Sequence, residues 1–394
     1  MVQYLFILGN STSLAKAELF SILEKKLIKY SLLSETSEVV HLSCEAELDF
    51  DDIIKTCGGV VKIAGVFKTF ESSELIEKLA FEVEKIGDHT TFGISLYGVN
   101  FHINPEQISK GIKVLLKERG IGSRFVLPKN NRLSSVVVTK QKIKEFVLYS
   151  AEKIIVAKTL CVQNFEDWSK RDYERPAALP KIGMLPPKVA RMMLNLTHGD
   201  GTTHLLLDPF CGSGTILQEA MALGFKCSGS DISDSVIKSA RENLDWFKQE
   251  YDIKTDYTLN VSDATKLQFV KDQTVDVIVT EPYLGPIWEI ETGEGKTGYQ
   301  SNQKKLSIAY LNNIIFSLEG LYTGCLREFH RVLKKNSELV IAIPSFYFDN
   351  KEYFVKKVVD NFSRLGYIIK AGPLPYYRPK AVVRRNIYVL KMNN

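Results

Sequence analysis

The stretch L205-L-L-D-P-F-C-G-S-G-T, followed at once by I216-L-Q-E-A-M-A-L-G, restricts the second half of this chain to few folds. A short apolar run, a turn with two glycines and an apolar helix, in that order, open a strand-helix-strand unit. The rhythm continues downstream. K226-C-S-G-S-D-I reads as a strand and S235-V-I-K-S-A-R-E-N-L-D-W-F as a helix. V275-D-V-I-V-T and E338-L-V-I-A-I read as buried strands, and N386-I-Y-V-L-K-M as a further one. Such alternation predicts a Rossmann-like, doubly wound α/β domain: a parallel sheet covered on both faces by helices.

The first half is patterned differently. Y4-L-F-I-L and F92-G-I-S-L-Y-G read as strands, while A15-K-A-E-L-F-S-I-L-E-K-K and P105-E-Q-I-S-K-G-I-K-V-L-L-K-E-R-G read as helices. In the second helix Ile108, Ile112, Leu115 and Leu116 share one face. S134-S-V-V-V-T and E145-F-V-L-Y-S read as strands, giving an α+β region. Between the halves, residues 161–180 are polar and hold two prolines, and read as an irregular linker. The N-terminal M-V-Q-Y-L-F-I-L-G-N has no basic flank and reads as a strand.

Composition is that of an ordinary globular chain, with 45% apolar and 25% charged residues. No apolar stretch approaches the roughly 18 residues of a membrane span. The six cysteines form no CxxC pair, so neither a zinc site nor a disulfide framework is expected. The net charge of +5 is unevenly spread. Residues 1–90 carry 9 basic and 15 acidic groups, residues 91–160 carry 12 and 4, and residues 361–394 carry 7 and none. Arg124, Lys129, Arg132, Lys140, Lys142 and Lys144 form one basic set; Arg378, Lys380, Arg384, Arg385 and Lys391 form another, next to Tyr376 and Tyr377. As sets they suit a polyanion, RNA in particular; a solvated basic surface explains each residue taken alone.

Open α/β sheets bind ligands beyond the carboxyl ends of their strands. Three acids fall at such ends: Asp208, Asp231 and Asp263. Gly212 and Gly214 let the backbone approach a ligand, and Asp231 is placed to accept ribose hydroxyls. A dinucleotide fold would show a third glycine, and here Thr215, Ile216 and Leu217 follow Gly214 instead. An acid before the glycines suits a cationic ligand without phosphates, S-adenosylmethionine being the expected cofactor. The candidate cofactor contacts are Asp208, Phe210, Gly212, Gly214, Thr215, Asp231, Ile232, Asp263 and Ala264.

D-P-F-C-G-S-G-T resembles motif I of class I methyltransferases that modify exocyclic amino groups. K181-I-G-M-L-P-P-K-V-A-R-M-M-L-N-L is similar to the segment that precedes it in THUMP-domain tRNA guanine-N2 methyltransferases. R124-F-V-L-P-K and S134-S-V-V-V are similar to the THUMP domain. The resemblance implies a ferredoxin-like region over 1–65, a THUMP-like RNA-binding domain over 66–165, a linker over 166–180 and a methyltransferase domain over 181–394. It also implies methylation of the N2 amino group of a guanosine in tRNA, commonly the tenth nucleotide; the scattered cysteines make reduced thiols and a cytoplasmic protein the expectation.

The same resemblance gives meaning to T280-E-P-Y-L-G-P, which ends a strand where the family's catalytic turn usually reads T-D-P-P-Y-G. Aligned without gaps, Glu281 replaces the aspartate and Leu284 the aromatic ring; aligned on the ring, Tyr283 keeps its place and Thr280 takes that of the acid. A carboxylate accepting the amino hydrogens, a stiff proline and an aromatic face would present a flipped-out base, so Glu281, Pro282 and Tyr283 are the candidate catalytic residues. Trp288, in the glycine-rich stretch that follows, is a candidate stacking residue. Two rival expectations stand beside this one: an amino methyltransferase acting on DNA, and a non-catalytic tRNA-binding protein. Oligomeric state and the need for a small activating subunit stay open at this point.

Overall fold

The computed structural model describes residues 1–70, 72–98, 104–150, 154–177, 184–199, 204–286, 307–378 and 381–393. The chain divides into two compact units, Met1–Ser169 and Lys170–Asn394.

The first unit is built on one eight-stranded sheet. Its strands are β1 (Val2–Leu8), β2 (Tyr30–Glu35), β3 (Val39–Cys44), β4 (Val60–Phe70), β5 (Thr90–Gly98), β6 (Ser123–Val126), β7 (Lys144–Ser150) and β8 (Ile154–Val162). Their order is β2-β3-β1-β4-β8-β7-β5-β6. Position 65/66 therefore lies inside β4, and residues on either side of it share the sheet. The helices are α1 (Thr12–Lys25), α2 (Phe50–Thr56), α3 (Leu75–Glu84), α4 (Pro105–Glu118) and α5 (Ser135–Lys140). Leu75, Leu79 and Val83 of α3 and Ile108, Ile112 and Leu116 of α4 form a core with Phe92, Ile94, Phe146 and Leu148 of the sheet. Alternate residues of the same strands, Tyr97, Val147 and Tyr149, pack on Leu5, Ile7 and Ala64.

Two local expectations are corrected. Residues 135–140 form a helix, not a strand, despite three consecutive valines. The Ser134 hydroxyl accepts the Val137 N–H and caps the turn, while Val138 packs into a small cluster with Leu133 and Ile143. Capping and one buried side chain override the β preference of the valines. The stretch read as irregular instead starts with helix α6 (Phe165–Tyr173), whose Trp168 is buried.

A buried ion pair lies beneath the basic segment of this unit. Lys62 of β4 donates to Glu145 Oε1 of β7 at 2.6 Å and to the Leu133 carbonyl at 2.7 Å. Ser95 and Thr159 hydroxyls donate to the same carboxylate at 2.5 and 2.7 Å, and Ser95 Oγ accepts the Leu133 N–H. Both charges are at most 2% exposed.

The second unit holds α7 (Pro187–Asn195), α8 (Thr215–Ala222), α9 (Asp234–Glu250), α10 (Ile308–Val332) and α11 (Lys356–Asp360). Its strands are β9 (Leu205–Asp208), β10 (Lys226–Asp231), β11 (Tyr257–Val261), β12 (Val275–Thr280), β13 (Leu333–Phe348), β14 (Lys351–Phe354), β15 (Tyr367–Tyr376) and β16 (Val383–Met392). The order is β11-β10-β9-β12-β13-β16-β15, with β14 paired to β13. The first five are mutually parallel, as expected; β16 runs against both neighbours. Leu207, Ile278, Leu339 and Ile341 pack on Leu318, Tyr322, Leu326 and Phe329 of α10. The alternating Leu206, Val277, Val279 and Val340 are also buried, as a sheet covered on both faces requires.

Lys62→Met should destabilise the first unit by about 3–5 kcal/mol, since it leaves the Glu145 carboxylate buried and unpaired. Replacing both partners, Lys62→Met with Glu145→Leu, should recover most of that loss in urea unfolding.

Candidate functional site

The strand order leaves the chain in opposite directions from β9 and β12, so the switch point lies between them, where ligands of such sheets bind. Asp208 ends β9 and Thr280 ends β12. Thr280 Oγ1 donates to Asp208 Oδ1 at 2.7 Å, joining the two strand ends. The Phe210 N–H donates to the same oxygen at 3.1 Å. Asp208 is 1% exposed, and burial, aided by Asp231 and Glu281 nearby, pushes its carboxyl up to about 7 against these two hydrogen bonds.

Beyond Asp208 the backbone passes through Gly212 at φ +51° and Gly214 at φ +90°, a left-handed path that a side chain would strain. Gly214 is the N-cap of α8. Asp231, at the end of β10, accepts the Gly212 N–H at 3.3 Å and the Ser233 N–H at 3.0 Å. Ile232 beside it is 75% exposed, an apolar surface next to the glycine turn. Asp263 is exposed and accepts the Thr265 N–H and hydroxyl, both at 2.8 Å; these bonds hold its carboxyl below the usual range. Phe210 and Ala264 pack against the core under the sheet, so their side chains are largely committed there. Thr215 Oγ1 accepts from Arg175 Nη1 at 2.7 Å.

The turn after β12 is anchored at several points. Glu281 accepts a two-pronged bond from Arg385 of β16: Nε to Oε2 at 2.8 Å and Nη2 to Oε1 at 2.9 Å. Pro282 is buried and Tyr283 is 55% exposed. The buried Tyr322 hydroxyl of α10 lies 3.3 Å from the Tyr283 carbonyl and 3.4 Å from that of Ala342. Burial works against the Arg385 charge, and the Glu281 carboxylate outweighs it, so its pKa is raised. Thr280 and Glu281, left open as alternatives by the sequence, thus sit differently. The Thr280 hydroxyl is spent on Asp208 inside the sheet, and Glu281 stands in the turn.

Sequence reasoning overlooked three residues. Arg175, 3% exposed, lies in the stretch read as linker and braces the glycine turn through Thr215. Asn243 of α9 donates to the Ser213 carbonyl at 2.9 Å and accepts the Ala177 N–H at 2.9 Å. Arg385 was grouped with a basic surface, yet its guanidinium is turned to Glu281. Only chain folding reveals these pairings, although a lone asparagine on an amphipathic helix was a faint signal for Asn243.

The basic residues fall into place unit by unit. In the first, Arg124, Lys129, Arg132, Lys140, Lys142 and Lys144 are all exposed, on and after the edge strand β6. Arg132 is paired with Glu38 and lies over the Tyr97 ring at 5.1 Å. In the second, Arg378 is exposed, and the Arg384 guanidinium lies 4.1 Å from the Tyr347 ring and 4.4 Å from the Tyr377 ring. Trp288 and Lys380 lie outside the described residues.

The Asp208 environment has a pH signature. Between the ordinary aspartate value of about 3.9 and about 7, the folded state holds the proton that the unfolded state has lost. Stability contributed by this group therefore falls as pH rises through that window. Asp208→Asn should raise the melting temperature at pH 8, where the ionised form costs about 4 kcal/mol. The gain should vanish near pH 4 in a thermal-unfolding series.

Residues 171–288 match a protein family described as UPF0020: RMKL-like, methyltransferase domain. The tRNA (guanine(10)-N2)-dimethyltransferase of Methanothermobacter thermautotrophicus is 39% identical over 135 residues, 34% of this chain and 37% of that protein. The enzyme of the same name from Methanocaldococcus jannaschii is 30% identical over 194 residues, 46% of this chain and 51% of that protein. The chain thus matches from about a third to about half of these relatives' length. Crystalline TrmN from Thermus thermophilus superimposes with a TM-score of 0.59 at 13% identity, covering 99% of both chains. A predicted N6-adenine-specific DNA methylase from Listeria monocytogenes gives 0.51 at 13% identity, covering 98% of this chain and 96% of that one. Glycine turn, strand-end acids, sheet order and sequence agree: the second unit has the class I methyltransferase fold, and its residues 171–288 match the RMKL-like methyltransferase domain.

Proposed function

We propose that the protein transfers methyl groups from S-adenosylmethionine to the exocyclic N2 amino group of a guanosine in tRNA, with position 10 as the target. The observation that carries this reading is the junction of Asp208, Thr280 and Glu281 at the sheet's switch point. It sets a buried carboxylate beside the Glu281 turn, in a chain whose matching relatives are named for that reaction.

The residues present suit this cofactor. Gly212 and Gly214 leave room for close backbone approach, Asp231 faces the turn where a ribose would lie, and Ile232 offers an apolar face to an adenine. The Asp208 carboxylate receives only neutral donors among the described residues, a setting that a nearby cation would relieve. When bound, S-adenosylmethionine supplies an electrophilic methyl on a sulfonium, whose carbon–sulfur bond breaks as the carbon–nitrogen bond forms, leaving a neutral thioether. The protein's part is orientation. Glu281 accepts an amino hydrogen, Pro282 stiffens the turn, and half-exposed Tyr283 offers a face to the extruded base. The nitrogen's proton leaves to solvent, which balances the charge.

In this reading the first unit, including the THUMP-like segment expected over 66–165, grips the tRNA. Its exposed basic residues on and after β6 support that role, as does the ring-stacked Arg384 for the second unit. Phosphate contacts of this kind give affinity and salt dependence without reading sequence.

Nucleoside mass spectrometry on unmodified tRNA, incubated with protein and S-adenosylmethionine, should show N2-methylated guanosine. Glu281→Ala should lower its rate of formation about a hundredfold or more. Methylated adenosine in DNA would instead favour the DNA enzyme, and tRNA binding without transfer the non-catalytic protein. Raising pH from 6 to 8 should tighten S-adenosylmethionine up to about tenfold as Asp208 ionises, with a smaller change for the neutral thioether product, by calorimetry.

A further inference from the structure

The Arg385 fork is unusual in its reach. Glu281 and Arg385 are 104 residues apart, and both side chains are 15–17% exposed. Strand β12 stops at Thr280, opposite Ile341, while β13 runs on to Phe348. The overhanging part of β13 makes a ledge beside the turn, and Arg385 pairs with Pro344 on that ledge. From there its guanidinium reaches Glu281, and on the far strand Tyr376 lies opposite it with ring and guanidinium 5.7 Å apart.

We infer that Arg385 is the positioning residue of the base-presenting turn: its two-pronged bond fixes the Glu281 carboxylate as an oriented acceptor for the target amino group. This rests on the proposed function and deepens it. Each carboxylate oxygen spends one lone pair on the fork and keeps another for a substrate N–H. Glu281 is assigned the part of an oriented acceptor for the amino hydrogen, and the proton departs to water after the nitrogen–carbon bond has formed. Arg385 is thereby withdrawn from the phosphate-contacting set to which its place in a basic segment assigned it.

The test compares Arg385→Gln, Arg385→Lys, Glu281→Ala and the Glu281→Ala/Arg385→Gln pair with wild type, in full-length protein. Arg385→Gln should lower kcat about ten- to a hundredfold while KM for tRNA stays within about twofold. Arg385→Lys should fall nearly as far, because an ammonium keeps the charge and loses the fork. The double variant should be no slower than Glu281→Ala, since the two residues act as a unit. An unchanged kcat with raised KM, or losses that multiply, overturns the inference. Two readouts stand apart from transfer. Amide exchange over 281–286 should quicken about tenfold in Arg385→Gln, and the salt dependence of tRNA binding should match wild type. A slope reduced by about one makes Arg385 a phosphate contact instead. Absence of transfer by wild type would sink the proposed function alone, because exchange and salt slope still judge Arg385. Should Arg385→Gln unfold, Arg385→Lys carries the same comparisons.

Discussion

The hydroxyl of Thr280 on the carboxylate of Asp208 holds the catalytic unit's arrangement together. It joins the carboxyl ends of β9 and β12 across the point where strand order reverses, 2.7 Å between oxygens. Two site elements lead out of these ends: the glycine turn runs from Asp208 into α8, and the turn proposed to present the base follows Thr280. A carboxylate buried here is costly, which is why its protonation is displaced towards neutrality. In the proposed function, this burial keeps a negative charge in reserve for a cationic cofactor.

Among the described residues, the turn after β12 is held by long-range anchors. Tyr322 from α10 points at a turn carbonyl, and Arg385 from β16 holds the turn's acid. Both lie downstream of the turn in sequence, 39 and 104 residues away. Such a turn is stiff only when the sheet, α10 and the antiparallel strand β16 are all in place. Site geometry is therefore coupled to completion of the fold, as a preorganised acceptor requires.

Much of this was legible in sequence, for identifiable reasons. Buried parallel strands are continuous apolar runs, and L205-L-L and V275-D-V-I-V-T stood out as such. Glycines at positive φ mark a tight turn, and acids at strand ends mark the ligand edge. The helix at 135–140 was hidden because β-branched residues argue locally for a strand, while its cause was a serine cap and one buried valine. Helix α6 was hidden by its charge, since a mean polar composition masks a single buried tryptophan. Arg175 and Arg385 were hidden for a deeper reason. An arginine in a polar segment reads as solvated, and only tertiary contact turns it inward.

On the ungapped alignment, the glutamate at 281 and the arginine fork fit each other. There glutamate stands in place of aspartate and adds a methylene and one more rotatable bond, so the acceptor oxygens could sweep a wider arc and lose directional control. A planar guanidinium meeting both oxygens removes that freedom, fixing the carboxylate plane as well as its position. Length at position 281 and the fork from β16 are thus one device, in which added flexibility is cancelled by a rigid partner.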